Sequence, residues 1–312
     1  MNKKKIIVQI AEGLGNQFFM YAHAYSLSKK FNYDLFVDHI SGYLKDKNLL
    51  REHQVYMLDN FNIFGNHIQN DLLINNYFSY PLKKLILILD KFKKKKTFLL
   101  EQKKIISGVK LIDKLTSFLP SQFSNNVYIK GNFENEVYFK SYKNDLIKMF
   151  KPKNEKINML NPLISKLQNS NSISIHLRQN RFSDQRGLTN NKLFTSKSKS
   201  FTDDSIIYIN KAINYFNNKI DNPKYFIWSN DHENLNIYTK NLIISDFELV
   251  QNKDVLNDFF LFSFSKHFIV SPSSFHWWGA WLNTNENKMC LYPANLNPSN
   301  NVDFWPKEWT SL

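Results

Sequence analysis

The chain of 312 residues exceeds what one hydrophobic core usually holds, so two domains are expected. Hydrophobic residues make up 43% and charged residues 22%, a globular balance that excludes a disordered chain. A formal net charge of +14 points to an anionic partner (nucleotide, nucleic acid or membrane surface), and the single cysteine, Cys290, excludes an intrachain disulfide and fits a reducing compartment.

Residues 6–10 are an apolar run that reads as a first strand. Lysines precede it as in a signal peptide, but the run is too short for export. Ala-Glu-Gly-Leu-Gly-Asn-Gln follows, and Leu14, Phe18, Tyr21, Ala22 and Tyr25 then recur at helical spacing, predicting a helix with one apolar face. Residues 35–38 read as a second strand, completing a βαβ unit. The turn lacks the third glycine of a dinucleotide fingerprint. Gly13 and Gly15 permit close backbone approach to a ligand at the helix N-terminus; the alternative is an ordinary tight turn.

Residues 81–104, opening on Pro81 and closing on Lys104, carry nine lysines against Asp90 and Glu101, interleaved with apolar residues. Such a segment either lies on anionic lipid or is a solvated helix face. No stretch reaches the roughly 18 apolar residues of a membrane span; the best candidate, residues 259–270, is interrupted by Lys266 and His267. The expected location is cytoplasmic, soluble or peripheral at the inner face of the plasma membrane. Residues 127–131 read as a further strand and residues 151–161 as the linker, giving domains over 1–150 and 163–312.

The stretch 172–188, SISIHLRQNRFSDQRGL, organises the second half. Its alternating start predicts a buried strand that ends in a loop holding His176, Arg178, Arg181, Asp184 and Arg186. Of 41 Lys and Arg residues only four are arginine, and three of them fall in this loop; the fourth is Arg51. Arginine offers a permanently charged fork that grips phosphate or carboxylate with two hydrogen bonds, whereas lysine is a point charge. Ligands of open α/β sheets bind outside the carboxyl ends of the strands. The loop is therefore read as a grip on a phosphate-bearing ligand, against the alternative of arginines paired with nearby carboxylates.

Residues 193–200 are polar and unpatterned and read as a loop; Thr202, Asp203 and Asp204 are expected to open a helix carrying Ile206, Ile209, Ile213 and Phe216. Strands are expected at 225–229, ending in Ser229-Asn230-Asp231, at 242–245 and at 268–271, with helices between them. Repeated β-then-α units predict a parallel, doubly wound sheet. Ser273 and Ser274 stand where the last of these strands gives way to a helix, a place for a phosphate, while Trp277, Trp278 and Trp281 read as core. No D-x-D pair, His/Glu helical pair or Cys cluster occurs, so no metal site is expected.

GLGNQFFMYAHA (13–24), IHLR (175–178), FIWSND (226–231) and SSFHWWGAWL (273–282), with VYIKGNFENEVYF (127–139) as a looser fifth, resemble the bacterial α-1,2-fucosyltransferases of glycosyltransferase family 11. The resemblance spans nearly the whole chain. It implies two Rossmann-like domains facing a cleft (the GT-B type of α/β fold), GDP-fucose as donor, no metal, and inversion at the fucose anomeric carbon. It further implies that the second domain holds the donor, for which His176, Arg178, Arg181, Ser229, Asn230, Asp231, Ser273, Ser274 and Phe275 are the candidate residues. By the same resemblance the first domain is expected mainly to hold the acceptor, with Gly13, Gly15, Asn16 and Gln17 as the candidate acceptor-side loop. The family's H-x-R-R-G-D stands here as His176-Leu177-Arg178-Gln179-Asn180-Arg181. Arg181 is read as replacing the missing guanidinium, and Asp184 as the nearest carboxylate for a general base. The expected reaction is fucosyl transfer to the 2-hydroxyl of a terminal β-galactose on a surface glycan precursor of O-antigen or lipopolysaccharide type. The alternatives are another linkage or acceptor, or a nucleic-acid-binding protein suggested by charge; the latter has no RNP, zinc-finger or helix-turn-helix signature to support it.

Overall fold

The computed structural model describes residues 3–43, 55–68, 98–101, 104–107, 110–113, 126–154, 162–183, 192–251, 254–297, 299, 301 and 303–312. Asp184, Arg186, Arg51 and most of the basic stretch 81–104 lie outside them. The chain divides into two compact units, one within residues 1–149 and the other spanning 150–312 together with residues 60–62. Both are α/β with parallel main sheets, the fold class expected of the GT-B type.

In the first unit β1 (Lys5–Gln9), β2 (Asp34–Asp38), β3 (Asn66–His67), β4 (Phe98–Glu101) and β7 (Val127–Lys130) form one sheet, in the order β3-β2-β1-β7-β4. All its pairings are parallel. A separate antiparallel ladder joins β5 (Lys104–Ser107) to β6 (Lys110–Asp113). Helix α1 (Leu14–Phe31) crosses from β1 to β2 and ends at Asn32, whose left-handed conformation lets the chain turn back. One buried face is expected, yet the first turns are buried almost all round, including Phe19, Met20, His23 and Ala24. The reason lies opposite the sheet: the segment after β7 covers the helix with Phe133, Tyr138 and Phe139, His23 stacking 4.1 Å from Phe133. Helix α2 (Lys143–Met149) closes this unit.

In the second unit β8 (Asn171–Leu177), β9 (Pro223–Ser229), β10 (Phe247–Leu249), β11 (His267–Ile269), β12 (Cys290–Tyr292) and β13 (Thr310–Ser311) form an all-parallel sheet in the order β10-β9-β8-β11-β12-β13. Helix α3 (Pro162–Asn169) precedes β8, with Pro162 at its first position, where the missing N–H costs nothing. Helix α4 runs over Lys192–Asn217, so the polar stretch 193–200 is helix and not loop, and Asp203 and Asp204 lie mid-helix and are not caps. Asp203 instead pairs with Lys199 one turn earlier, at 2.7 Å. Ile206, Ile209, Ile213 and Phe216 face the sheet as expected and are buried with Ile173, Ile175 and Ile227. Each such side chain contributes about 1.5–3 kcal/mol relative to exposure. Helix α5 (Leu235–Thr239) leads to β10, which lies at 247–249 and not at 242–245. Helix α6 (Val255–Phe262) and helix α7 (Ser274–Leu282) pack closely: a Cβ built on Gly279 would come within 2.3 Å of the Phe262 ring. Trp277, Trp278 and Trp281 are buried in this core, as expected.

Candidate active site

The second sheet runs outward from β8 through β9 to β10, then returns to β8's other side with β11 and continues to β13. Its order reverses between β8 and β11, the point at which doubly wound sheets bind ligands beyond their carboxyl ends. His176 stands near the end of β8 there and Arg178 to Arg181 follow it, while Ser271 to Phe275 follow β11.

The two strand ends are joined by side chains. The His176 ring lies across from Ser271, Nδ1 to Oγ at 3.2 Å, and the backbone N–H of Ser271 donates to His276 Nδ1 at 2.9 Å. That acceptance leaves the proton of a neutral His276 on Nε2. Burial, helped by the Arg178 charge, pushes His176 down to about 3. Burial and the neighbouring His176 likewise hold His276 well below the ordinary histidine range. Both imidazoles are therefore neutral at physiological pH, so they position neighbours and do not act as cations or as general acids. The Arg181 guanidinium donates to the Pro272 carbonyl at 3.0 Å and lies over the Phe201 ring at 5.1 Å, so it ties the β8 loop to the β11 loop. Arg178 is half-buried beside His176. Ser198 of α4 steadies the loop by accepting from the N–H groups of Phe182 (2.9 Å) and Ser183 (3.1 Å).

Gln179 stands where the family pattern has its second arginine. Only 1% exposed, it donates from Nε2 to Ser229 Oγ (2.9 Å) and the Asp231 carbonyl (2.8 Å), while Asn230 Oδ1 accepts from its N–H at 2.7 Å. Ser229, Asn230 and Asp231 thus brace the β8 loop against the end of β9. Burial acts to raise the Asp231 carboxyl, but hydrogen bonds from Asn234, Asn180 and the Glu233 N–H outweigh it and hold the group below its ordinary value. Ser273 is the N-cap of α7, yet its side chain makes no capping hydrogen bond. Ser273, Ser274 and Phe275 are all partly exposed there.

His176, Phe275 and the β11 loop are thus brought together, and Arg181 reaches that loop. The Ser229–Asp231 group joins them through Gln179. Gly13, Gly15, Asn16 and Gln17 belong to the other unit, where Gln17 is fully buried and is tied by its carboxamide to the Glu12 and Val55 carbonyls and the Met57 N–H. Sequence reasoning missed Ser271 and Pro272 as contacts and Gln179 as a brace; only the position of the first two beside Ser273 hinted at them. Among the described residues, no group of three His, Cys, Asp or Glu side chains is placed to hold a metal, and no helix is long and apolar enough to cross a membrane.

The sequence matches the profile of glycosyl transferase family 11 over residues 5–312, so the chain belongs to that family and is a glycosyltransferase. It is 28% identical over 320 aligned positions to an α-1,2-colitosyltransferase of Escherichia coli, covering 98% of both chains. A further relative, the O-antigen biosynthesis glycosyltransferase WbnK of Escherichia coli, is 28% identical over 148 positions, which cover 44% of this chain and 45% of that one. The structure of a mutant of Arabidopsis thaliana FUT1 in complex with GDP superposes with a TM-score of 0.50 at 13% identity, covering 96% of this chain and 72% of that one, and shares the fold.

Proposed function

We propose that the protein transfers L-fucose from GDP-fucose, with inversion and without a metal, to the 2-hydroxyl of a terminal β-galactose on an O-antigen-type glycan precursor. The observation that carries this reading is that Arg178 and Arg181, two of only four arginines, follow β8 at the β8/β11 reversal, with Arg181 hydrogen-bonded to the Pro272 carbonyl two residues before α7. In the reaction the galactose O2 attacks the fucose anomeric carbon, and the bond from that carbon to the β-phosphate oxygen breaks. The electron pair leaves on GDP, where Arg178 and Arg181 stabilise it, with Ser273, Ser274 and the first N–H groups of α7 beside them. The proton of the acceptor hydroxyl passes to a carboxylate, for which Asp184 is proposed. The first unit is assigned the acceptor and the basic stretch 81–104 the cytoplasmic leaflet, where lipid-linked acceptors would lie.

The colitosyltransferase relative favours a second reading, α-1,2 transfer of colitose at the same site. GDP-fucose and GDP-colitose, each offered with a panel of galactosides, separate the two, with GDP release as the rate and NMR of the product as the linkage. Fucosyl transfer in an α-1,2 linkage is expected. Transfer from GDP-colitose alone would install the second reading, and a linkage other than α-1,2 would overturn both.

A further inference from the structure

We infer that Glu12 is a contact for hydroxyl groups of the acceptor sugar, an inference that rests on the acceptor-binding reading of the first unit. Sheet order reverses in this unit too, between β1 and β7, since β2 and β3 extend from one side of β1 while β7 and β4 lie on the other. Glu12 follows β1 and Asn132 follows β7, so both stand at the carboxyl ends where such sheets take ligands.

Glu12 has φ +63, a left-handed backbone that a long side chain adopts only at a cost and that glycine would adopt freely. Its carbonyl is held in place by Gln17 Nε2 at 3.0 Å and the Tyr43 hydroxyl at 3.2 Å. Its carboxylate accepts from the Asn16 carboxamide and, at 3.4 Å to each oxygen, from that of Asn132. Residues kept in sparsely populated backbone regions cluster at ligand sites, where the surroundings over-determine them.

The surroundings of the carboxylate suggest the ligand class. In a chain of net charge +14, no lysine or arginine among the described residues pairs with it; its partners are neutral amides. A carboxylate has about four lone-pair positions, so two amide donors leave it able to accept further hydrogen bonds. Asn16 Oδ1 adds a buried acceptor without a partner. Acceptor oxygens beside amide donors match the hydroxyls of a neutral sugar, each of which both donates and accepts, and do not match a phosphate, which only accepts.

Two variants test this, with wild type first assayed on the galactoside panel. Glu12→Gly relieves the backbone strain and is expected to raise the melting temperature by about 2–4 °C. The same variant should raise the acceptor KM roughly tenfold or more, as loss of a hydrogen bond to a charged group implies, and leave the donor KM unchanged. Glu12→Gln, which keeps size and removes charge, should also raise the acceptor KM. An unchanged acceptor KM in both variants overturns the inference, as does a Gly variant that melts lower than wild type, because the carboxylate would then be a structural tie. A wild-type protein that uses no galactoside brings down the acceptor reading itself, a failure visible before any variant is made.

Discussion

Lowering the pH from 7.5 to 5.5 should destabilise both units by titrating histidines that the fold keeps neutral. His176 in the second unit and His23 in the first are each pushed down to about 3 by burial, from an ordinary value of 6.5. The sign follows from proton uptake. Below 6.5 the unfolded chain binds protons that the folded chain refuses, so this stability is complete above pH 6.5 and is lost as pH falls toward 3. At pH 5.5 each of the two histidines costs about 1.4 kcal/mol, and His276, depressed for the same reason, acts in the same direction. Carboxylates contribute little in this window because their unfolded values lie near 4. All six tryptophans lie at residue 228 or beyond, so tryptophan fluorescence reports the second unit alone. For a unit of this size the His176 contribution alone lowers its melting temperature by about 3–6 °C. His176→Gln should flatten the dependence of stability on pH by about one proton. A melting temperature that is the same at the two pH values, or a slope unaltered by His176→Gln, would refute the account.

Two further outcomes are expected. Arg178→Lys should lose donor affinity and turnover almost as badly as Arg178→Ala, since the planar fork and not the charge alone is what grips a diphosphate; near-normal kinetics in the lysine variant would remove Arg178 from that role. Gly279→Ala should destabilise the second unit by about 1–3 kcal/mol in urea titrations, because the added methyl would meet the Phe262 ring at 2.3 Å; an unchanged midpoint would show that α6 and α7 separate freely.

Much of this architecture is legible in the chain, and the misreadings have physical causes. The βαβ starts of both sheets follow from apolar runs and turn residues. The start of helix α4 is not legible because its first turns, with Thr195, Ser196, Ser198 and Ser200, lack apolar periodicity. Ser198 is nonetheless 3% exposed there, its hydroxyl occupied by the backbone of the arginine loop, and a tertiary partner of that kind leaves no periodic mark. The strand expected at 242–245 follows an apolar run in which Leu242 and Ile244 pack against the core while Ile243 is exposed, and none of the three joins the sheet. Pairing is fixed instead by β9, whose Tyr225, Phe226 and Ile227 stand opposite Phe247, Glu248 and Leu249.

The site divides along the same line. Arginine rarity marks the β8 loop because the choice of Arg over Lys is itself chemical, independent of what lies nearby. Gln179, Ser271 and Pro272 carry no such mark, since their parts depend on a register that sets Leu177 opposite Ser229 and Ile175 opposite Ile269. That register also decides which groups carry charge. It buries His176 between Ser271 and the His276 ring, where desolvation keeps both imidazoles neutral, and leaves Arg178 and Arg181 to supply positive charge that no physiological pH removes. A loop assigned to a diphosphate gains from this division: arginines hold their charge from pH 5 to 9, and neutral histidines fix the geometry without adding a titration to it.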